Sequence, residues 1–169
     1  MNVLVACFSA SGKIGGIAEA LANKLDAQYV NIEPSIGFLK GIDSMRSYFK
    51  LKAGIKPCQT DLSDVDHLVI VSTAATASAS SYIMKYASSL TNCEGKKFST
   101  VTRESNSNRS DPYNPIYTVG SAPEQIRKEL EKKGMILFEE KILGGPIDTP
   151  KAARIVIDRF SEKILSSSP

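Results

Sequence analysis

The chain has 169 residues, of which 42% are apolar and 23% charged, and its formal net charge is +3. This length and composition are typical of one globular domain with a core of its own. No apolar stretch approaches the roughly 20 residues that a membrane-spanning helix needs, and the small charge, without a basic stripe interleaved with aromatics, argues against nucleic-acid binding.

The termini and cysteines favour a protein of the cytoplasm. The first apolar run is only six residues long and follows no charged segment, so it does not resemble a signal peptide. Cys7, Cys58 and Cys93 have no metal-ligand spacing, and their odd number argues against a disulfide framework. We expect Cys7 and Cys93 to be small buried residues.

Short apolar runs alternate with amphipathic patterns along the chain. Five strands are predicted: Val3–Phe8, Gln28–Ile32, His67–Ser72, Phe98–Thr102 and Ile136–Leu143. Three of them are apolar at nearly every position, as expected for strands covered on both faces. The single histidine, His67, stands at the edge of a strand, and we interpret it as incidental rather than catalytic.

Between the strands, apolar residues recur at helical spacing. The first three predicted helices start near Ile14, Phe38 and Ile83. The fourth begins at Ser121, where Ser121-Ala122-Pro123-Glu124 has the form of a capping box, and it ends at Gly134. The last begins at Thr149-Pro150, with proline at its favoured first position.

This alternation predicts an α/β fold, a three-layer, doubly wound, five-stranded parallel sheet with helices on both faces. We expect a single domain over residues 1–165 and a disordered tail over residues 166–169. Ligands of such sheets bind beyond the carboxyl ends of the strands. Three predicted loops leave those ends: Ser9–Lys13, Ser72–Ser81 and Arg103–Pro115.

The first loop reads Ser9-Ala10-Ser11-Gly12-Lys13 and leads into a helix. It offers backbone N–H groups at a helix N-terminus, two hydroxyls and an ammonium, all of which can bind a phosphate. The alternative is a plain β–α turn in which a serine caps the helix. The loop is not a P-loop, because the four residues between glycines and the Gly-Lys-Ser/Thr end are missing. It is not a dinucleotide fingerprint, because Gly12, Gly15 and Gly16 have the wrong spacing.

The loop resembles the phosphate loop of the flavodoxin family, which has the pattern Ser/Thr-x-Thr-Gly-x-Thr and wraps the phosphate of FMN. Ser9, Ser11 and Gly12 match, whereas Ile14 replaces the last threonine and removes one hydroxyl donor. Other stretches similar to the family are Asp64–Asp66, Glu94–Lys97 and Glu131–Gly134. The resemblance implies strand order 2-1-3-4-5 and phosphate contacts from Ser9, Ala10, Ser11, Gly12, Lys13 and Ile14.

The second loop departs further from the family, which, with its quinone-reductase branch, has Gly-Thr-Pro and an aromatic residue that packs on the flavin. Here Thr73 matches, Ala74 replaces the proline, and no aromatic residue precedes Tyr82. The resemblance implies flavin contacts from Thr73, Ala74, Ala75, Thr76, Ala77 and Ser78, without the flat apolar face. The alternative is a flexible loop of small residues that binds no ligand.

The third loop is long and polar, which is typical of functional or disordered loops. In the resembling family the residues just after the fourth strand contact the isoalloxazine ring. This implies flavin contacts from Thr102, Arg103, Glu104 and Ser105, and Tyr113 or Tyr117 could supply an aromatic face.

The resemblance implies an FMN-binding protein that acts in electron transfer or as a flavin-dependent reductase. Flavodoxins that shuttle electrons are strongly acidic, so the net charge of +3 favours the reductase. The electron donor and the acceptor, a protein or a small molecule, are not indicated.

Two alternatives remain open. One is a binding module of the same fold that has lost FMN. The other is a cysteine enzyme similar to low-molecular-weight tyrosine phosphatases, with Cys7 as nucleophile and Asp111 as general acid. In that alternative Lys13 stands where an arginine is needed to hold the phosphoryl group in a bidentate fork.

Overall fold

The sheet and its helices are seen in a computed structural model that describes residues 1–9, 12, 14–36, 53–75, 78–103, 121–143 and 150–166. The strands are β1 Val3–Phe8, β2 Gln28–Asn31, β3 His67–Ala75, β4 Ser78–Ala79, β5 Lys97–Arg103 and β6 Ile136–Leu143. The helices are α1 Gly15–Leu25, α2 Ser81–Ser89, α3 Ala122–Glu131 and α4 Pro150–Ser166. The predicted helix near Phe38, most of the third loop and residues 167–169 lie outside these ranges.

The main sheet has the order β2-β1-β3-β5-β6, and all four of its strand pairings are parallel. With β4 set aside, this is the order 2-1-3-4-5 that the resemblance implies. The short β4 is an addition to the prediction, and it pairs antiparallel with the end of β3. The predicted α/β class and strand order are confirmed.

The two faces of the sheet bury two separate cores, because successive side chains of a strand point to opposite faces. Leu4, Leu68 and Phe98 belong to the core that α2 and α3 cover. Val5, Val69 and Val101 belong to the core that α1 and α4 cover. The helices therefore lie in two layers around the sheet, as a doubly wound fold requires.

The capping box predicted at the start of the fourth helix is wrong in its main contact. Ser121 is the N-cap of α3, but its side chain makes no capping hydrogen bond. A serine cap is found instead at α2, where Ser80 Oγ accepts a hydrogen bond from the backbone N–H of Tyr82 at 3.3 Å. The last helix continues through Ser166, one residue beyond the predicted end of the domain.

His67 is the first residue of β3 and lies within the sheet rather than at its surface. It is fully buried, its Nε2 lies 2.8 Å from Ser99 Oγ, and its ring meets Phe138 edge-on. Burial, with a smaller effect of Lys97, lowers the pKa of the imidazole to about 4. His67 stands at the amino end of its strand, away from the edge where ligands of such sheets bind.

Candidate functional site

The carboxyl ends of β1, β3 and β5 meet at one edge of the sheet. Phe8 is aligned with Ser72, and Ser72 with Thr102, so the three strands reach the edge at the same level. Ser9, Thr73 and Arg103 are the residues that follow these three aligned positions. The fold thus brings residues of all three predicted loops to a common edge.

The start of α1 lies beside the hydroxyl of Ser9. The Oγ of Ser9 is buried and has no hydrogen-bond partner among the described residues. A Cβ placed on Gly15 would lie 3.9 Å from the Cβ of Ser9, so this hydroxyl lies beside the first turn of the helix. Ile14 provides no side-chain cap, and the first turn has no acidic residue. Such a helix start favours an anion.

Gly12 has a φ of +77°, a conformation that favours glycine, and it accepts a hydrogen bond from the backbone N–H of Gly15 at 3.1 Å. The side chain of Ile14 is fully buried in the core between α1 and α4. Only the backbone of Ile14 remains available to a ligand. Ala10, Ser11 and Lys13 lie outside the described residues.

The second loop is much shorter than the predicted Ser72–Ser81. β3 continues to Ala75, and the chain then reverses and pairs Ala74 with Ala79 and Ala75 with Ser78. Ala74 and Ala79 are both buried in the core under α2 and α3. The prediction missed this extension because alanines lack the branched or aromatic side chains that mark a strand. Thr76 and Ala77 lie outside the described ranges.

The β3–β4 hairpin is attached to the first turn of α3. The backbone N–H of Ala79 donates a hydrogen bond to Oε1 of Gln125 at 3.3 Å. Immediately after β4, Ser80 caps α2. The hairpin is therefore connected to α3 by a hydrogen bond and to α2 directly along the chain.

Aromatic side chains near this edge are used within the core. Phe8 and Tyr82 have ring centroids 4.7 Å apart, and both side chains are buried. Tyr82 therefore cannot supply the stacking face that the second loop lacks. Tyr113 and Tyr117 lie outside the part of the chain that the structure describes.

The end of β5 presents its two predicted contacts on opposite faces of the sheet. Thr102 is fully buried on the face covered by α3, and its Oγ1 has no partner within the described ranges. Arg103 is half-buried and, by the alternation along the strand, lies on the α1 face, aligned with Thr73. Glu104 and Ser105 lie outside the described ranges.

Ser121, which was predicted only as a helix cap, has a buried hydroxyl that does not cap the helix. It is 5% exposed, its Oγ has no partner in the part of the chain that the structure describes, and it precedes the helix that packs on β4 and β5. The same sequence pattern fits a serine that caps its helix and a serine whose hydroxyl makes no capping bond. Only the structure shows that Ser121 is of the second kind.

Cys7 does not have the properties of a nucleophile. Its side chain is fully buried within β1, and burial raises the pKa of its thiol to about 12 despite a hydrogen bond with Tyr29. A reactive thiol needs partial exposure and a lowered pKa. The environment of Cys7 therefore contradicts the phosphatase alternative; Lys13 and Asp111 lie outside the described residues.

The fold is similar to that of solved flavoproteins and flavodoxins. A proposed flavoprotein of Bacteroides uniformis matches with a TM-score of 0.71 at 17% identity, over 95% of this chain and 97% of that one. A flavoprotein of Lactobacillus acidophilus, solved in complex with FMN, matches with a TM-score of 0.64 at 12% identity, over 95% and 98%. Flavodoxin 2 of Bacillus cereus matches with a TM-score of 0.60 at 15% identity, over 99% and 100%.

At such low identities these likenesses show the fold alone, and that fold is flavodoxin-like. No protein-family model matches the chain, and no curated protein matches it. In the described ranges, every helix is too short or too polar to cross a membrane.

Proposed function

We propose that the protein binds FMN at the carboxyl edge of its sheet and acts in electron transfer or as a flavin-dependent reductase. The observation that carries the proposal is the Ser9 hydroxyl beside the start of α1. In the described part of the chain this hydroxyl has no partner, and neither a side-chain cap nor an acidic residue occupies the helix end. A phosphate is the group that such a helix start binds best. The fold supports the same assignment, because a neighbour of this fold was solved with FMN.

The residues at the edge fit the two ends of FMN. Ser9, Gly12 and the first turn of α1 would hold the phosphate. Thr73, Thr102 and the β3–β4 hairpin would contact the ring. When bound, FMN would supply the redox chemistry, and the chain would bind and orient it and exclude water. With no aromatic residue in the described part of the hairpin, the chain would hold the ring by hydrogen bonds more than by stacking.

The Ser9 hydroxyl provides the first test. We expect Ser9→Ala to weaken FMN binding by about 10- to 100-fold, because a hydrogen bond to a charged group is lost. Riboflavin, which lacks the phosphate, should bind the variant and the unmodified protein equally well. Quenching of flavin fluorescence during titration measures both affinities.

Ser161→Ala is a suitable control, since Ser161 is another buried serine whose hydroxyl has no partner, but it lies in α4. It should leave the affinity for FMN unchanged. Equal losses of FMN and riboflavin in Ser9→Ala would contradict the phosphate role of this residue. If the protein binds neither flavin, the alternative of a binding module without FMN is supported instead.

A further inference from the structure

His67 lies on the face of the sheet that the last helix covers. It stands two residues before Val69, whose side chain belongs to the core under α1 and α4, so the imidazole is on the same face. α4 follows β6 and runs back from the carboxyl ends of the parallel strands toward their amino ends. Lys163, near the end of α4, forms an ion pair with Glu139 of β6, and Ile164 is fully buried in the same core. The last turns of α4 therefore cover the strand ends at which His67 begins β3.

The surroundings of the imidazole suit its neutral form. Its Nε2 lies 2.8 Å from Ser99 Oγ, and its ring centroid lies 5.4 Å from that of Phe138. The ammonium of Lys97 lies 5.4 Å from the centroid of the same Phe138 ring. A proton on His67 would therefore place a second positive charge beside Lys97 inside the core, and an uncompensated buried charge is costly.

The carboxylates near this face are engaged elsewhere. Glu139 is paired with Lys163, Asp158 is paired with Lys24, and Asp66 accepts a hydrogen bond from the backbone N–H of Asn2 at 2.7 Å. The charged side chains on the elements around the imidazole, within the described ranges, are Lys24 of α1, Lys97 and the distant Arg103 of β5, Glu139 and Lys141 of β6, and Asp158 and Lys163 of α4. Cations thus outnumber carboxylates around a protonated His67.

α4 is the element that can yield to such a charge. β3 is paired on both sides, with β1 and with β5, so it cannot leave the sheet alone. α4 is held by its buried apolar side and by the ion pairs Lys24–Asp158 and Lys163–Glu139, and ion pairs between partly exposed side chains contribute little. A terminal helix held in this way can open while the rest of the fold persists.

We propose that His67 is an acid-sensitive latch for α4: when its imidazole takes up a proton, the last helix separates from the sheet while the strands stay paired. The neutral ring fills the core beneath the helix, and the protonated ring gains hydration once the helix has moved away. His67 is the single histidine of the chain, and histidine is the side chain whose ordinary pKa lies closest to neutral pH. This role is independent of FMN binding.

Hydrogen exchange of the unmodified protein without added flavin, measured at pH 7 and pH 5 and corrected for the intrinsic rate of each amide, tests the latch. At both pH values the amides of α4 should be less protected than those of β3, because the helix opens without the sheet. Burial, with a smaller effect of Lys97, lowers the pKa of His67 from 6.5 to about 4 in the closed state, so acid favours the open state. The protection of α4 should therefore fall about 20-fold from pH 7 to pH 5.

Two variants serve as controls. His67→Gln keeps a hydrogen-bonding side chain beside Ser99 but cannot titrate, so its α4 should be equally protected at both pH values. Lys24→Gln removes an ion pair of α4 without touching the imidazole. It should increase opening by roughly 2- to 5-fold at both pH values and leave the 20-fold effect of pH in place.

Three results would overturn the inference: α4 amides as strongly protected as those of β3, protection of α4 that is unchanged between pH 7 and pH 5, or an equal fall in His67→Gln. The first two are read from the unmodified protein, so they decide the question even if His67→Gln does not fold.

Discussion

At the level of single residues, Ile14 shows how a side chain's direction decides its role. It stands where the flavodoxin pattern has a threonine, yet its side chain is fully buried between α1 and α4. Ile14→Thr should therefore not strengthen FMN binding. It should lower the free energy of unfolding by roughly 2–3 kcal/mol, because it buries a hydroxyl and removes apolar volume.

Chemical denaturation and FMN titration of this variant measure the two effects separately. Ile14→Val is the control for lost volume and should cost about 1 kcal/mol. A gain of FMN affinity in Ile14→Thr would show that residue 14 faces the ligand, contrary to the structure.

His67 should make the protein less stable in mild acid. Its pKa is lowered from 6.5 to about 4 in the folded protein, so acid protonates the unfolded chain first. The contribution of His67 to the free energy of unfolding is fully present above pH 6.5. It falls by about 3 kcal/mol as the pH drops to 4, at about 1.4 kcal/mol per unit of pKa shift. Denaturant unfolding measured between pH 7 and pH 4 gives this slope.

His67→Gln should remove most of that slope, even if it lowers stability at every pH. The titration of Asp61 falls below this pH range. Hydrogen bonds from Ser63 and Asn92 lower its pKa to about 2, so its contribution to stability is lost only below its ordinary pKa of 3.8. An equal slope in the variant would exclude His67 as its source.

Gly134 tests backbone strain at the end of α3. Its φ is +78°, and an added Cβ would lie 1.9 Å from Oε2 of Glu94. Gly134→Ala should cost about 1–2 kcal/mol from the left-handed backbone, plus a small amount for moving the exposed carboxylate. Thermal denaturation reports the loss.

Gly95→Ala is its matched control, with a φ of +72° and nothing within 4 Å of the added Cβ. A loss for Gly134→Ala more than about 1 kcal/mol above that of Gly95→Ala would mean that Glu94 cannot move away, which would contradict its exposed position.

At the level of secondary-structure elements, the β3–β4 hairpin depends on its link to α3. Gln125→Ala should expose the N–H of Ala79 to hydrogen exchange and cost about 1 kcal/mol, since a side-chain hydrogen bond to the backbone is removed. Gln125→Glu keeps an acceptor oxygen and should keep the protection of that N–H. Equal protection in Gln125→Ala and the unmodified protein would show that the bond does not hold the hairpin.

The same hairpin marks the limit of prediction from sequence. The predicted β1 bounds are those observed, and the predicted β2 is one residue too long, because apolar and branched residues mark strands directly. The extension of β3 to Ala75 could not be predicted, because it depends on α3 covering two alanines and binding the backbone of β4. The predicted capping bond of Ser121 was wrong for a similar reason, because a sequence pattern does not reveal which hydrogen bond a hydroxyl makes.

At the level of the whole molecule, the edge where the loops meet was predictable, because parallel strands bring their carboxyl ends together. Ser9, Thr73 and Thr102 were predicted as site residues, and the alignment of β1, β3 and β5 brings them to that edge. The division of this edge into an α1 side and an α3 side required the structure, because it depends on which face each strand presents at its last residues.

The central claim, that this edge binds FMN, is tested most directly by titrating the purified protein with FMN while recording its absorption spectrum and melting temperature. We predict saturable binding of one FMN per chain, shifts of the flavin bands near about 370 and 450 nm, and stabilisation by about 2.7 kcal/mol at 100 times the dissociation constant. Unchanged flavin bands together with an unchanged melting temperature at saturating FMN would contradict the claim.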